Sequence, residues 1–518
     1  MKPARWLTCS LVLLGSFALL AAAASAQDSC DNLKSLKIQN VTISATKTYS
    51  PQNHLVIPIP SSPFAAAGNL TIAMPLCRVI AYATPTSDSH IDFEVWLPGS
   101  SGWNGKFEGV GNGGFIGQID YGEMNSGLKR GYAVAGTDTG HKGFGEHWAL
   151  GHPEKLIDWA YRSVHVMTAA SKQIVKAYYG KPAKLAYWDG CSTGGKQGLT
   201  EAQRYPDDFD AIVAGAPANY ITHLQAGSEY LSWVSLKDGV SAPEYIPPSK
   251  YKLLHQAALD ACDALDGVKD GVIEDPMLCH FNPKVIECKG ADGPDCLTAP
   301  QVKTVQEIYA GAKYNNGKLI YPGLEPGSEL EWRYMAAGPE PAAIGTGFFK
   351  YMVFDNPNWD FRSFNADHDT RYADKKIGSM INAIDPNLSA FEAHGGKLLM
   401  YHGWADQLIA PENSVNYYKS VMAKMGGLKK TQQFARLFMV PGMTHCQGGI
   451  GPTTFDPLTP LEKWREQGIA PAKIIASKSV NGKVVETRPL CPYPKAAIYK
   501  GSGDTNKAAN FACGIPKW

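Results

Sequence analysis

Neither sign of charge dominates this chain. Its 518 residues carry 49 Lys and Arg against 48 Asp and Glu, for a net charge of +1. A surface that neutralises phosphates needs a basic excess, so nucleic acid is not expected as a partner. Beyond the N-terminus there is no apolar run long enough to cross a bilayer. There is also no internal repeat and no low-complexity tract, which removes solenoid and linker architectures. A hydrophobic content of 44% is that of a globular protein in water. The length exceeds one ordinary domain and predicts a large domain with a second unit.

The one early apolar stretch reads as a targeting signal. Lys2 and Arg5 precede it, residues 11–24 form it, and Ala24-Ser25-Ala26 supplies small residues for cleavage. Residues 1–26 are therefore expected to be a signal peptide. The mature chain would start near Gln27, secreted or periplasmic, with no membrane anchor after cleavage. Cysteine usage agrees. Of eleven cysteines, Cys9 leaves with the signal, and an even ten in an exported chain implies disulfides. Closeness in the chain favours Cys262–Cys279, Cys288–Cys296 and Cys491–Cys513. Cys30–Cys77 would tie the N-terminal region, which leaves Cys191 and Cys446.

The organising stretch is 184–199, KLAYWDGCSTGGKQGL. Apolar residues lead into Gly190-Cys191-Ser192-Thr193-Gly194, and a helix-competent run follows. This is G-x-S-x-G between a strand and a helix, where a nucleophile elbow sits. A serine on so sharp a turn needs small neighbours, and Gly190, Gly194 and Gly195 supply them. The helix start then offers free N–H groups to a developing oxyanion. Alone the motif also fits a glycine-rich turn with an incidental serine.

Short strands are predicted at 36–38, 41–43, 77–82, 91–97 and 106–110. The last runs into Gly111-Asn112-Gly113-Gly114-Phe115, placed where a second oxyanion donor, Gly113 or Gly114, would come from. Further strands are predicted at 132–136, 211–214, 398–401 and 435–441, with a helix over 153–179 stopped by Gly180. Strand–helix alternation at this spacing predicts an α/β fold with a doubly wound parallel sheet. The rhythm breaks over 220–385, which reads as irregular and rich in Pro, Gly and aromatics. We read 27–219 and 386–518 as two parts of one α/β-hydrolase domain and 220–385 as an inserted lid domain.

A nucleophilic serine needs a base, and the base needs an acid to orient it. In α/β-hydrolases they follow in the order Ser, Asp or Glu, His. Asp406 follows the strand at 398–401, and His445, the only histidine after His402, follows the next one. Cys191 adjoins Ser192 and Cys446 adjoins His445, so a bridge between them would tether nucleophile to base. Asp263, Asp266 and Asp270 crowd one turn at 263–272. Carboxylates this close repel unless a cation neutralises them, and Ca²⁺ suits such oxygen donors. The EF-hand order is missing. A solvated Asp-Gly turn pair remains open, although the flanking Cys262 and Cys279 favour a structural metal. Phe348, Phe349, Tyr351, Phe354, Trp359 and Phe361 concentrate aromatic surface in the lid. That suits flat ligands or simple core packing.

On Gly190-Cys191-Ser192-Thr193-Gly194-Gly195, Gly403-Trp404-Ala405-Asp406, His445-Cys446-Gln447-Gly448-Gly449 and the 263–272 turn, the chain resembles the tannase and feruloyl esterase family of α/β-hydrolases. That family also holds the mono(2-hydroxyethyl) terephthalate hydrolase. The resemblance covers about 30–513. It implies Ser192 as nucleophile, His445 as base, Asp406 as its partner and a Cys191–Cys446 disulfide. It implies oxyanion donors at the Thr193 amide and at Gly113 or Gly114, with His402 near the substrate. It also implies a lid and a structural Ca²⁺ held by Asp263, Asp266 and Asp270 with the Val268 and Val272 carbonyls. The expected activity is a serine carboxylesterase acting on a small aromatic ester or a feruloylated polysaccharide, as a monomer or weak oligomer. Hydroxycinnamate esters come first, gallate esters second and terephthalate monoesters third. A non-catalytic binding protein on the same fold, or another serine hydrolase, are the other classes.

Overall fold

The computed structural model describes residues 30–59 and 67–517. The expected signal peptide, 1–26, lies outside the described residues.

Nine strands make the central sheet: β1 (Val41–Tyr49), β2 (Leu76–Ala83), β3 (Ile91–Pro98), β4 (Phe107–Val110), β5 (Ala133–Thr137), β6 (Ala186–Cys191), β7 (Ala211–Gly215), β8 (Lys397–Gly403) and β9 (Ala435–Val440). Their spatial order is β1-β2-β3-β5-β4-β6-β7-β8-β9. From β5 to β9 all neighbours are parallel. β1, β2, β3 and β5 pair antiparallel. The expected parallel sheet is thus the six-strand part of a mixed one. The reason is chain length: the short link between β2 and β3 closes a hairpin, whereas a parallel return needs a crossover of a dozen or more residues. The 36–38 stretch is not a strand; only Ile38 makes an isolated bridge, to Val41.

The parallel strands are buried on both faces. Along them, alternate residues go to opposite sides. Trp188, Ile212 and Leu398 join one apolar cluster, and Tyr187, Val213 and Leu399 join the other. That two-sided burial is why these strands read as continuous apolar runs. Helices cover the faces. α1 (Tyr121–Lys129) is capped by Asp120, whose side chain accepts the Glu123 amide. The helix expected over 153–179 is there, but it opens into a π turn at Asp158–Arg162 before α2 (Ser163–Tyr179). It ends where expected, at Gly180 with φ 69°. α3 (Thr193–Arg204) follows β6 directly.

β4 lies between β5 and β6, so the strand order reverses beside it. Loops at such a reversal part at the carboxyl ends of the strands and leave room for a ligand. The loop after β4 and the turn after β6 therefore emerge side by side. The ends of β7, β8 and β9 follow along the same edge.

β7 and β8 are neighbours, yet 181 residues, 216–396, separate them in the chain. The expected lid limits, 220 and 385, fall inside this excursion. It is more regular than expected: it holds α4 (Ile221–Leu236), α5 (Tyr251–Cys262) and α6 (Ala299–Ala310). α4 hides its period because it is buried on nearly every side. Thr222, His223, Gln225, Ser228, Glu229, Ser232 and Ser235 are buried alongside its apolar residues. No polar stripe is left for a sequence pattern to show. All five expected disulfides are present: Cys30–Cys77, Cys191–Cys446, Cys262–Cys279, Cys288–Cys296 and Cys491–Cys513. Among the described residues no helix is long and apolar enough to cross a membrane.

Candidate active site

Ser192 stands at the junction of β6 and α3 with φ 63° and ψ −123°. A non-glycine residue there is strained, and the surroundings must hold it. They do so with backbone. The Ser192 amide donates to the Gly215 carbonyl at 2.9 Å, and its own carbonyl accepts from Lys196 and Ala218, each at 3.0 Å. The neighbouring glycines are required by contact. A Cβ on Gly190 would lie 2.6 Å from the Gly194 carbonyl carbon, and one on Gly195 would lie 2.4 Å from the Gly215 oxygen. The Trp188 indole fastens the first turn of α3 by donating to the Gly194 carbonyl at 2.9 Å.

The Gly111–Phe115 loop is clasped to α3 by one side-chain pair. The Asn112 amide donates to Gln197 Oε1 at 3.1 Å, and Gln197 Nε2 donates to Asn112 Oδ1 at 3.2 Å. Asn112 Nδ2 then ties back to the Gln118 and Thr137 carbonyls, both at 2.7 Å. With the Asn112 amide engaged, those of Gly113 and Gly114 donate to no protein acceptor among the described residues, and neither does that of Thr193. Space is open over Gly113, where an added Cβ would meet nothing within 4 Å. His141, which the sequence did not single out, braces this loop from below. Its Nε2 donates to the Phe115 carbonyl at 2.9 Å and its ring stacks on Trp148. Burial pushes its pKa down to about 4, so it serves as an uncharged strut.

Asp406 is fully buried beyond the end of β8. Its Oδ1 accepts the Leu408 and Ile409 amides at 2.8 and 3.0 Å. Its Oδ2 accepts from His445 Nδ1 at 2.8 Å and from His402 Nε2 at 3.1 Å. Burial alone would raise the acid's pKa. The charge of His445 and the hydrogen bonds from both imidazoles outweigh burial and hold it well below the ordinary carboxylate range. His445 is 15% exposed at its side chain, and Asp406 occupies its Nδ1, which turns Nε2 outward. The Cys191–Cys446 disulfide, with its Cα atoms 5.9 Å apart, joins the residue before Ser192 to the residue after His445. Cys446, like Ser192, has a positive φ, 64°. The sequence-predicted Ser192, Asp406 and His445 are thus brought to one edge of the sheet.

His402 is the exception. Its ring is fully buried, Nδ1 faces the Ser414 hydroxyl at 2.7 Å, and Nε2 is shared between Asp406 and the Ile409 carbonyl. With both nitrogens used inside the protein, it braces Asp406. The aromatic stretch of the excursion divides similarly. Phe348, Phe349, Met352 and Val353 are core at 2% exposure or less. Phe115, from the glycine-rich loop, packs against Phe348 and Trp159. Ile344 of the excursion also approaches the glycine-rich loop: a Cβ on Gly114 would touch its Cδ1 at 3.8 Å.

The 263–272 turn fits a calcium ion in the kind of its donors. Asp263, Asp266 and Asp270 lie in one turn, and the Val268 and Val272 carbonyls accept no hydrogen bond among the described residues. Burial, with Asp270 and Asp263 nearby, pushes Asp266 up to about 6, a sign of unmet negative charge. The three carboxylates do not converge to within 4.8 Å of one another, and Arg488 holds Asp270 Oδ2 at 2.5 Å, so ligation requires them to swing inward.

Residues 77–514 match the family described as tannase and feruloyl esterase. An uncharacterized esterase of Xanthomonas campestris is 37% identical, covering 96% of this chain and 93% of that protein. A probable feruloyl esterase B of Aspergillus clavatus is also 37% identical, over 98% of this chain and all of its own length. Among solved structures, feruloyl esterase B from Aspergillus oryzae superposes with a TM-score of 0.89 at 31% identity, covering 94% of this chain and 100% of that one. The tannin acyl hydrolase from Aspergillus niger, at 22% identity and a TM-score of 0.76, shares the fold. A match over nearly the whole described chain, on an α/β-hydrolase sheet, places this protein in the tannase and feruloyl esterase family of carboxylic ester hydrolases.

Proposed function

We propose that the chain is an exported serine esterase that hydrolyses hydroxycinnamate esters, such as feruloyl groups on plant polysaccharide, through Ser192, His445 and Asp406. The observation that carries this reading is the 2.8 Å contact of His445 Nδ1 with a buried, ionised Asp406, on a loop bridged to the residue beside Ser192. Nε2 of His445 takes the proton of Ser192 as its hydroxyl attacks the ester carbonyl. The oxyanion is met by the Thr193 amide and by that of Gly113 or Gly114, all unspent on the protein. His445 returns the proton to the leaving alcohol, and an acyl-enzyme remains. Water, deprotonated by His445, then releases the acid and frees Ser192.

The feruloyl preference rests on the printed names of relatives, and the excursion over Gly114 is the segment we assign as lid. Five disulfides, stable only in oxidising surroundings, support export. We further propose that Asp263, Asp266 and Asp270 with the Val268 and Val272 carbonyls hold a structural Ca²⁺. When bound, the ion neutralises the turn and locks it against the C-terminal strands that carry Arg488.

The test is hydrolysis of methyl ferulate, methyl gallate and mono(2-hydroxyethyl) terephthalate by the oxidised mature protein, with Ser192→Ala alongside. Ferulate cleavage that disappears in the variant is expected. Preference for gallate or terephthalate would move the substrate assignment. Unchanged turnover in Ser192→Ala would remove the mechanism.

A further inference from the structure

A second cluster of titratable side chains lies away from the proposed triad, and the mechanism does not use it. His165 comes from α2, Glu201 from the far end of α3 and Asp208 from the loop before β7. One ligand atom from each falls within 4.8 Å of the others. No other such group of His, Cys, Asp and Glu occurs among the described residues.

Glu201 is the unusual member. It is 1% exposed, and its carboxyl finds no partner in the protein other than the neighbouring acid, Asp208. Buried acids are nearly always met by a donor or a cation, so an acid whose one partner is another acid marks an unmet demand. The nearby cations do not meet it. Lys172 Nζ is spent on the Asp207 and Asp208 carbonyls at 3.2 and 2.5 Å. Lys196 Nζ donates to the Ala160 carbonyl and sits over the Trp159 ring. His165 Nδ1 reaches Asp208 Oδ2 at 2.6 Å and so holds a hydrogen between them. Its ring lies flat on Tyr205, with centroids 3.9 Å apart, which fixes its aim. Its side chain is 38% exposed, so the cluster has an open mouth.

We propose that His165, Glu201 and Asp208 are a binding site for a divalent transition ion of the zinc class. One imidazole and two carboxylates form a mixed nitrogen–oxygen set, which suits zinc better than calcium. Bonds of about 2.1 Å place ligand atoms on one ion up to about 4.2 Å apart, near the spread already present. Two carboxylates balance the ion's charge once the hydrogens held between His165 and Asp208 and between Asp208 and Glu201 have left as protons on binding. Stacking on Tyr205 fixes the plane of the His165 ring. The ion would staple α2, the end of α3 and the entry to β7. It would thereby anchor the far end of the helix that starts beside Ser192. This inference stands whether or not the esterase reading does.

The experiment uses untagged, oxidised full-length protein saturated with Ca²⁺, so that the 263–272 turn does not compete. It is dialysed against Zn²⁺, then against metal-free buffer, and metal content and melting temperature are measured. The expected result is one zinc per chain and a higher Tm. His165→Ala and the shape-preserving Glu201→Gln should lose both. Substituting Co²⁺ should give the visible absorption of nitrogen–oxygen coordination in the wild type alone. Zinc retained equally by both cluster variants would overturn the proposal. So would a wild type that binds none while Glu201→Gln is more stable, since a proton shared by the two acids then explains the cluster.

Discussion

Gly111 and Gly194 meet backbone to backbone: a Cβ on Gly111 would fall 2.5 Å from the Gly194 Cα. The contact sets the spacing between the loop that follows β4 and the helix that follows β6. Both proposed halves of the oxyanion hole ride on it. No flexible side chain is present to give way, so Gly111→Ala should abolish ester hydrolysis and lower Tm by several degrees. Gly99→Ala, away from the site, is the matched control. Its Cβ meets nothing and its amide is kept, so its turnover and melting temperature should stay close to wild type.

His402 donates to the same Asp406 oxygen that orients His445. Losing a hydrogen bond to a charged group costs about 1.5–3 kcal/mol, or roughly ten- to a hundred-fold in rate if spent in the transition state. His402→Gln should therefore lower kcat by that range with KM nearly unchanged. A rise in KM at constant kcat would instead point to substrate contact and return His402 to the pocket.

Much of the candidate site could be read before the fold was known. Ser192 announces itself through flanking glycines that the backbone truly needs. His445 followed from chain order, and the Cys191–Cys446 bridge from adjacency to both residues. That His402 is spent on Asp406 was not legible, because sequence gives the strand end but not which way a ring at that end turns. The strands at 41–43, 77–82 and 91–97 were legible but their antiparallel pairing was not, because strand direction was read from apolar runs alone. α4 was missed because burial on every side erases the 3.6-residue period. His165, Glu201 and Asp208 come from three separate elements, and no spacing rule joins them.

Stability should depend on alkaline pH through Glu229. This acid is fully buried on α4, accepts from the Thr346 hydroxyl at 3.1 Å and is pushed up to about 8, chiefly by burial. A carboxyl raised in the folded state adds stability that is complete below its unfolded pKa of about 4.5 and fades as pH rises through 8. Glu229→Gln should match wild type near pH 5 and melt higher, by about 1–3 °C, near pH 9. Thermal scans across that range decide it. A constant offset at all pH values would remove the titration argument.

Acid should act in the opposite sense through Asp406. Its folded pKa is depressed, so its contribution is present above an unfolded value of about 3.9 and is lost as pH falls below that. Asp406→Asn should be inactive and should show a shallower loss of Tm between pH 5 and pH 3 than the wild type.

Calcium removal should expose the turn at 263–272. EGTA is expected to lower the wild-type Tm, with recovery on added Ca²⁺. Asp263→Asn should melt low and ignore both reagents, because Asp263 also accepts the Asp270 and Gly271 amides at 3.1 and 3.0 Å. A wild type indifferent to EGTA would remove the calcium assignment.

The Cys191–Cys446 bridge spans 255 positions of sequence and encloses the whole excursion between β7 and β8. In covalent terms the excursion is an arc of a closed ring. A protease that nicks the arc makes two polypeptides but not two molecules, and the ends that bear Ser192 and His445 stay joined through sulfur. The arc is thus free to lengthen, shorten or be exchanged for another while the reacting pair keeps its tether. On the proposed reading of the arc as a lid, substrate choice can diverge among relatives without renegotiating the chemistry held at the ring's clasp.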